Sequence, residues 1–462
     1  MLKTFALFGG LVVAIAVGTA LFATGSDPKV AWTAGVVTLC ALWWIFEPIP
    51  IAATSLIPLA IFPAVGVLTT DQIGQSYGSP LVLLMLGGFM LSVAMEKSNT
   101  HRRLALSMVN AFGGGGRSLV FGFMTASAVL SMWISNAATA LMMLPIVMAV
   151  ADKTSDVALR TSLLLGVAYA SSIGGIGTPV GTPPNLVFMK HYTKLTGSEP
   201  TFLQWMSWAL PIVVVMIPIA GLWLTRGIKT KTQIELPTVG QWRTEEVRTL
   251  AVFAVTALLW ITRGGEEYGW SYWLGLPNAN DASVALLAAV AMHFLPNGNT
   301  NADGKREMLL DWPSAVKIPW GILILYGGGI AIAEAFTESG LSDMLRDSLS
   351  GLASVPVVLM IAGLCLAVTF LTEVTSNTAT ATLLLPVLAL AAVSAKLDPR
   401  LIMVPATISC SFAFMLPVAT PPNAIMFGSE QLTIKTMARE GFVLNLIGVV
   451  VVTAICLWNF AG

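Results

Sequence analysis

The sequence predicts an all-α polytopic membrane protein, an inverted-topology repeat with about eleven transmembrane helices and two re-entrant hairpins. Three observations carry that expectation. The 462 residues are 56% hydrophobic and only 10% charged, against about 25% charged in a soluble domain. Apolar runs of about 20 residues, the length that crosses a ~30 Å hydrocarbon core as a helix, recur along nearly the whole chain. Short polar motifs of the first half return in the second half at a near-constant spacing, the signature of an internal repeat.

In chain order, segments long enough to span fall at 5–24, 30–46, 49–67, 79–96, 161–189, 203–225, 247–262, 281–296, 318–337, 401–427 and 434–460. The first follows Lys3 in the manner of a secretory leader. Its apolar run is long for one and no clear small-x-small cleavage site follows, so it reads as an uncleaved first span. Two further apolar stretches, 118–150 and 354–394, are each too long for one crossing. A polar cluster breaks each near its middle, which suits a re-entrant helical hairpin.

Lys and Arg placement orients this layout. Arg226, Lys229, Lys231, Arg243 and Arg248 in 226–248, and Lys305, Arg306 and Lys317 in 297–319, mark two cytoplasmic connections. The connection between them, with Glu266, Glu267 and Asp281 against Arg263, then faces outside. His101, Arg102, Arg103 and Arg117 fall inside, which puts the N-terminus in the cytoplasm and the C-terminus outside. Lys190 and Lys194 are the exception, on the outer side. Leu341, Met344, Leu345 and Leu349 share one helical face while Asp343, Arg346 and Asp347 share the other, as in a helix lying at the membrane surface. A weaker case, about 102–112, is ended by the glycine run Gly113–Gly116. An ordinary connecting helix is the other reading of both.

The repeat is visible in three landmarks. SNAATALMMLP at Ser135–Pro145 and SNTATATLLLP at Ser376–Pro386 agree at seven of eleven positions with an offset of 241. GTPPN at Gly181–Asn185 answers ATPPN at Ala419–Asn423, offset 238, and Leu86–Gly88 answers Tyr326–Gly328, offset 240. Each repeat, roughly 30–225 and 247–460, holds five crossings and a hairpin. Five is odd, so the second repeat starts on the opposite side from the first. That symmetry is the architecture of many secondary transporters, which bind substrate and coupling ions at the repeat interface near the midplane.

The motifs have chemistry to match. A Ser hydroxyl and an Asn amide each donate and accept, so a Ser-Asn tip can hold a carboxylate with its donors and a sodium ion with its acceptors. Broken helices add N–H groups at their N-termini for an anion. Consecutive prolines cannot continue the backbone ladder, which frees the Gly181 and Ala419 carbonyls for a cation. No Arg or Lys lies within the four motifs, so a divalent anion would need co-bound cations. Glu373, beside the second tip, is an acid in an apolar run and hence a functional candidate. Met132 stands at its place in the first repeat, and pairing with backbone or a neighbouring helix is an equally open role.

Other classes find less support. Lys plus Arg and Asp plus Glu both total 24, giving no reason to expect nucleic acid. Cys40, Cys365, Cys410 and Cys456 lie in apolar segments without a C-x-x-C pair and read as buried free thiols. No H-E-x-x-H occurs, and His101, His191 and His293 sit at segment ends, so the chain is read as no enzyme. A channel would call for a ring of repeated pore residues instead of paired occluding motifs.

With its paired Ser-Asn tips and paired Thr-Pro-Pro breaks, nearly the whole chain resembles the divalent anion:sodium symporter family, which includes the bacterial sodium-coupled dicarboxylate transporters. The resemblance implies an elevator-type homodimer in the bacterial inner membrane. Its scaffold would comprise 1–100 and 245–337, and its transport domain 118–225 and 353–462. Interfacial arm helices at 101–117 and 338–352 and a cytoplasmic linker at 226–244 would join them. One Na+ site would use Ser131, Ser135, Asn136 and the Gly181 carbonyl, and its counterpart Thr372, Thr375, Asn377 and the Ala419 carbonyl. Substrate carboxylates would meet Ser135, Asn136, Thr182 and Pro183 from one repeat and Ser376, Asn377, Thr378, Thr420 and Pro421 from the other. Succinate, malate and fumarate are the substrates implied, with a sulfate, citrate, proton-coupled or exchange carrier as the alternative. The first tip departs from the family pattern, with Ala137 where Thr is expected.

Overall fold

The computed structural model describes residues 2–229, 240–264, 269–300, 304–344 and 356–460. Helices α1 (Leu2–Ala23) and α2 (Pro28–Phe46) open the chain as a hairpin. Their backbones touch through glycine: a Cβ on Gly18 would lie 3.1 Å from the Ala31 carbonyl, and one on Gly35 3.2 Å from that of Ala14. Such small-residue contacts are how helices pack where lipid removes the hydrophobic drive. The stretch 49–67, expected as one span, is instead two short helices, α3 (Ile51–Thr54) and α4 (Ile57–Ala64). Pro58 has no N–H to give the Thr54 carbonyl, and the ladder stops there.

After α5 (Thr70–Tyr77) and α6 (Pro80–Lys97) comes α7 (Thr100–Phe112), which ends where Gly113 takes a φ of 82°. Arg103 fixes α7: its Nε donates to Glu246 at 2.7 Å, both side chains buried, and its other nitrogens donate to the Gly240 and Gln241 carbonyls. Next are α8 (Gly116–Ser131), α9 (Asn136–Ala151), α10 (Val157–Gly175), α11 (Pro183–Thr196) and α12 (Phe202–Thr225).

The second half runs α13 (Thr244–Ile261), α14 (Trp270–Trp273), α15 (Asp281–Phe294), α16 (Trp312–Ala315) and α17 (Trp320–Glu338). It continues through α18 (Val357–Thr372), α19 (Asn377–Ser394), α20 (Pro399–Ser409), α21 (Pro421–Phe427) and α22 (Ile434–Phe460). Helices α18–α22 echo α8–α12 one for one. The connection at 297–319 carries a small antiparallel pair, Pro296–Thr300 with Arg306–Met308, which the apolar pattern gave no reason to expect. Leu341–Met344 is helical, while Leu345, Arg346, Asp347 and Leu349, like Lys231, Glu266 and Glu267, lie outside the described residues.

Among the described residues eight helices are long and apolar enough to cross a membrane, and four more apolar helices are shorter. Large apolar side chains such as Val214, Leu222, Leu287 and Trp458 are exposed on the outside, the surface expected of a bundle wrapped in lipid. Inside, the Tyr169 and Phe414 rings meet at 5.0 Å between α10 and the break after α20, tying the two halves together. All four cysteines are buried and free. Lys194, on the side that the charge bias makes external, pairs with Glu334 of α17 at 2.7 Å.

Candidate functional site

The four motifs converge. Residues 132–135 join α8 to α9 as the first tip, and 373–376 join α18 to α19 as the second. Residues 176–182 break the run from α10 to α11, and 410–420 break the run from α20 to α21. A cavity of about 1020 Å³ lies between them. Ser135, Asn136, Thr182 and Pro183 line it from one side, and Ser376, Asn377, Thr378, Thr420 and Pro421 from the other. Gly181, Thr375 and Ala419 line it too, while Ser131 and Thr372 are fully buried behind the tips. The charged residues on its wall are Lys3 and Glu47, of opposite sign.

Each tip is held by the same bond. Ser131 Oγ donates to Asn136 Oδ1 at 2.6 Å, and Thr372 Oγ1 donates to Asn377 Oδ1 at 2.7 Å. With Oδ1 so engaged, the amide NH2 of each Asn is oriented as the donor. The Cys410 carbonyl lies 2.9 Å from the same Thr372 Oγ1, so that hydroxyl's single proton is shared between the two acceptors. Thr375 has no hydroxyl counterpart, since Ile134 stands at its place; its Oγ1 lies 2.6 Å from that of Thr380 and bonds the Leu371 carbonyl at 2.9 Å.

Each break is held by the asparagine that closes its motif. Asn185 Nδ2 donates to the carbonyls of Thr178 at 2.7 Å, Gly175 at 3.1 Å and Ile176 at 3.4 Å. Asn423 Nδ2 donates to those of Ala413 and Leu416, both at 3.0 Å. These two residues belong to the quoted motifs, but nothing in the sequence assigned them a role; the signal was a polar side chain repeated at the same offset in an apolar run. Glu373 proves to be a backbone partner. Its carboxylate accepts from the Met415 N–H at 2.8 Å, the Leu416 N–H at 3.0 Å and the Asn445 amide at 2.7 Å.

Capping alternates between the halves. The Ser135 side chain caps α9 by accepting from the Ala138 N–H at 3.2 Å, whereas Ser376 makes no cap bond to α19. At the breaks Thr420 caps α21 through the Asn423 N–H, and Thr182 makes no cap bond to α11. Ser376 and Thr182 therefore keep hydroxyls free of capping at the cavity wall. A second chamber, of about 500 Å³, shares Phe89, Ser92, Ser135, Ala137 and Pro319 with the first and reaches Glu96, Asn99, His101 and Lys317. Ala137 thus stands at the junction of the two. Burial holds the His101 imidazole below its ordinary pKa, so it adds no positive charge there at neutral pH.

The chain is similar to known proteins over nearly its whole length. Residues 3–461 match the family described as the sodium:sulfate symporter transmembrane region. The chain is 38% identical over 434 residues to the sodium-dependent dicarboxylate transporter SdcS of Staphylococcus aureus strain NCTC 8325, covering 89% of this chain and 82% of that one. The SdcS of the bovine strain RF122 is 39% identical over the same length. In fold it is similar to the YdaH transporter of Alcanivorax borkumensis, a crystal structure with an unusual topology. The TM-score is 0.59 at 14% identity, over 86% of this chain and 87% of that one. The chain belongs to the sodium:sulfate symporter family, and it is a multi-pass membrane transporter, not an enzyme.

Proposed function

We propose that this protein couples sodium ions to uptake of a C4 dicarboxylate such as succinate, malate or fumarate. The observation that carries the reading is the cavity wall: nine polar or backbone-freeing motif residues from two repeats, with no net charge contributed by the side chains around them. A dianion bound there gains Ser, Thr and Asn donors and the N-terminal N–H groups of α9 and α19, since α11 and α21 open on paired prolines that have none to give. Its two negative charges still need balancing, and sodium supplies that balance while accepting the neutral oxygens at hand. Coupling is then obligatory for an electrostatic reason. Net inward movement of positive charge would draw about 2.3 kcal/mol per charge per 100 mV. The relative from Staphylococcus aureus is a sodium-dependent dicarboxylate transporter by name, which favours the same substrate class.

In this reading one sodium sits with Ser131, Ser135, Asn136 and the Gly181 carbonyl, and another with Thr372, Thr375, Asn377 and the Ala419 carbonyl. Sodium binds first, orders the two tips and completes the anion site. Residues 118–225 and 353–462 move as an elevator past a scaffold of 1–100 and 245–337 in an inner-membrane homodimer. The N-terminus is cytoplasmic and the C-terminus external.

The test is uptake of radiolabelled succinate into proteoliposomes under an inward sodium gradient and under an equal potassium gradient. Uptake with sodium alone is the expected result. Uptake indifferent to sodium would contradict the coupling and favour a proton-coupled or exchange carrier. No succinate uptake in either gradient would turn the substrate to sulfate or citrate.

A further inference from the structure

We infer that Asn185 and Asn423 are positioning residues for the sodium sites. They act through the two helix breaks without touching the cargo, an inference that rests on the sodium-coupled reading above. Both are fully buried, and neither lines the cavity. Breaking a helix frees several carbonyls at once, and a carbonyl left unpaired in a low-dielectric interior is both costly and a competing ligand for any cation. The two asparagines select among them. In the first break the Thr178 carbonyl accepts from Asn185 Nδ2 at 2.7 Å and from the Gly181 N–H at 3.3 Å, and the Gly175 carbonyl also turns toward Asn185. In the second the Leu416 carbonyl accepts from Asn423 Nδ2 at 3.0 Å and from the Ala419 N–H at 3.2 Å, and the Ala413 carbonyl turns toward Asn423. The inner carbonyls are tied back in both halves, and the chain is folded so that Gly181 and Ala419 come to the cavity wall.

The same bonds recur at the same offset although the loops between differ in composition, Ile176, Gly177 and Thr178 against Phe414, Met415 and Leu416. That recurrence argues that the clamp itself is the retained feature. A second observation agrees. Asn185 Oδ1 and Asn423 Oδ1 are both buried without a hydrogen-bond partner, so at each site the side chain serves as a donor and its acceptor goes unused. The first break has further ties, from the Trp205 indole N–H to the Ile176 carbonyl at 2.9 Å and from the Thr178 hydroxyl to the Met132 carbonyl.

The experiment measures the sodium concentration for half-maximal succinate uptake, and the succinate KM at saturating sodium, in full-length Asn185→Ala and Asn423→Ala proteins. Thermal unfolding in detergent confirms folding. The expected result is a rise of about tenfold in the sodium requirement, with the succinate KM at saturating sodium within about twofold of the parent. A purely structural role would lower the yield or the unfolding temperature and leave the sodium requirement of the folded fraction alone, and that result would overturn the inference. Should Asn185→Ala fail to fold, Trp205→Phe decides for the first break, with a rise of about threefold expected and no rise contradicting it. Parent uptake indifferent to sodium would instead bring down the coupling reading itself.

Discussion

The two halves of the cavity carry the same motifs and reach the same geometry by different means. In the first half backbones touch. A Cβ on Gly175 would come 2.5 Å from Asn136 Oδ1, and one on Gly181 would come 2.4 Å from the Gly175 carbonyl and 3.0 Å from that of Met132. In the second half the corresponding residues are Ala413 and Ala419, so the same approach is not available. There a carboxylate takes over, with Glu373 gathering the Met415 and Leu416 N–H groups of the break. The difference teaches that the repeat preserves the bonds that hold its two tips, Ser131 with Asn136 and Thr372 with Asn377, and lets the rest of the support diverge.

That contrast can be broken most sharply at Glu373. Glu373→Ala leaves two backbone N–H groups and the Asn445 amide without an acceptor, at about 1–3 kcal/mol for each. The unfolding temperature and uptake should both collapse, whereas Met132→Ala at the equivalent place, where the side chain is only half-buried, should cost about 2 kcal/mol, the low end for such a truncation. Thermal unfolding of the two purified variants checks this. Equal losses would mean that the second half does not depend on its carboxylate.

Gly175→Ala probes the first half. Alanine is favoured over glycine within a helix by about 1 kcal/mol, and the atom that it strikes is the end of a side chain, which can yield. Stability should therefore change little while uptake falls about 10- to 100-fold, because the yielding group is the Asn136 amide. Ala413→Gly, its counterpart, should alter uptake by less than about threefold. Gly181→Ala, which strikes backbone, should lower the unfolding temperature as well.

The caps give a finer separation. Ser135→Ala removes an N-cap and should cost about 1 kcal/mol of stability in addition to uptake. Ser376→Ala removes no cap bond, so any loss of uptake there with an unchanged unfolding temperature measures contact with cargo. The smallest effect is expected of Ala137→Thr, which offers the first tip the hydroxyl that Thr378 has in the second. A roughly fivefold lower succinate KM would follow from one added hydrogen bond. No change would mean that the cargo does not reach the junction with the second chamber.

Much of this site was legible in the sequence because polar residues and prolines stand out in apolar runs. Both tips and both breaks, and hence every residue expected to meet cargo, could be located from Ser135–Pro145, Ser376–Pro386 and the two Thr-Pro-Pro-Asn motifs. What supports them was not legible. Glu373 reaches partners 42, 43 and 72 residues away, and the work of Asn185 and Asn423 depends on which way a side chain points across a bend. No residue pattern distinguishes Ser135, which caps its helix, from Ser376, which does not. The split of 49–67 had its signal in Pro58, outweighed by the apolar run around it. The strand pair in 297–319 lies in polar sequence where hydropathy carries no information.

The central claim is that both halves of the cavity act together in one sodium-dependent event. Its most direct test is sodium-driven succinate uptake by Asn136→Ala and Asn377→Ala, each reconstituted beside the parent protein. Loss of about 10- to 100-fold in both variants, with folding intact, is predicted. Near-normal sodium-dependent uptake in either one would show that its half of the cavity is dispensable and would contradict the account.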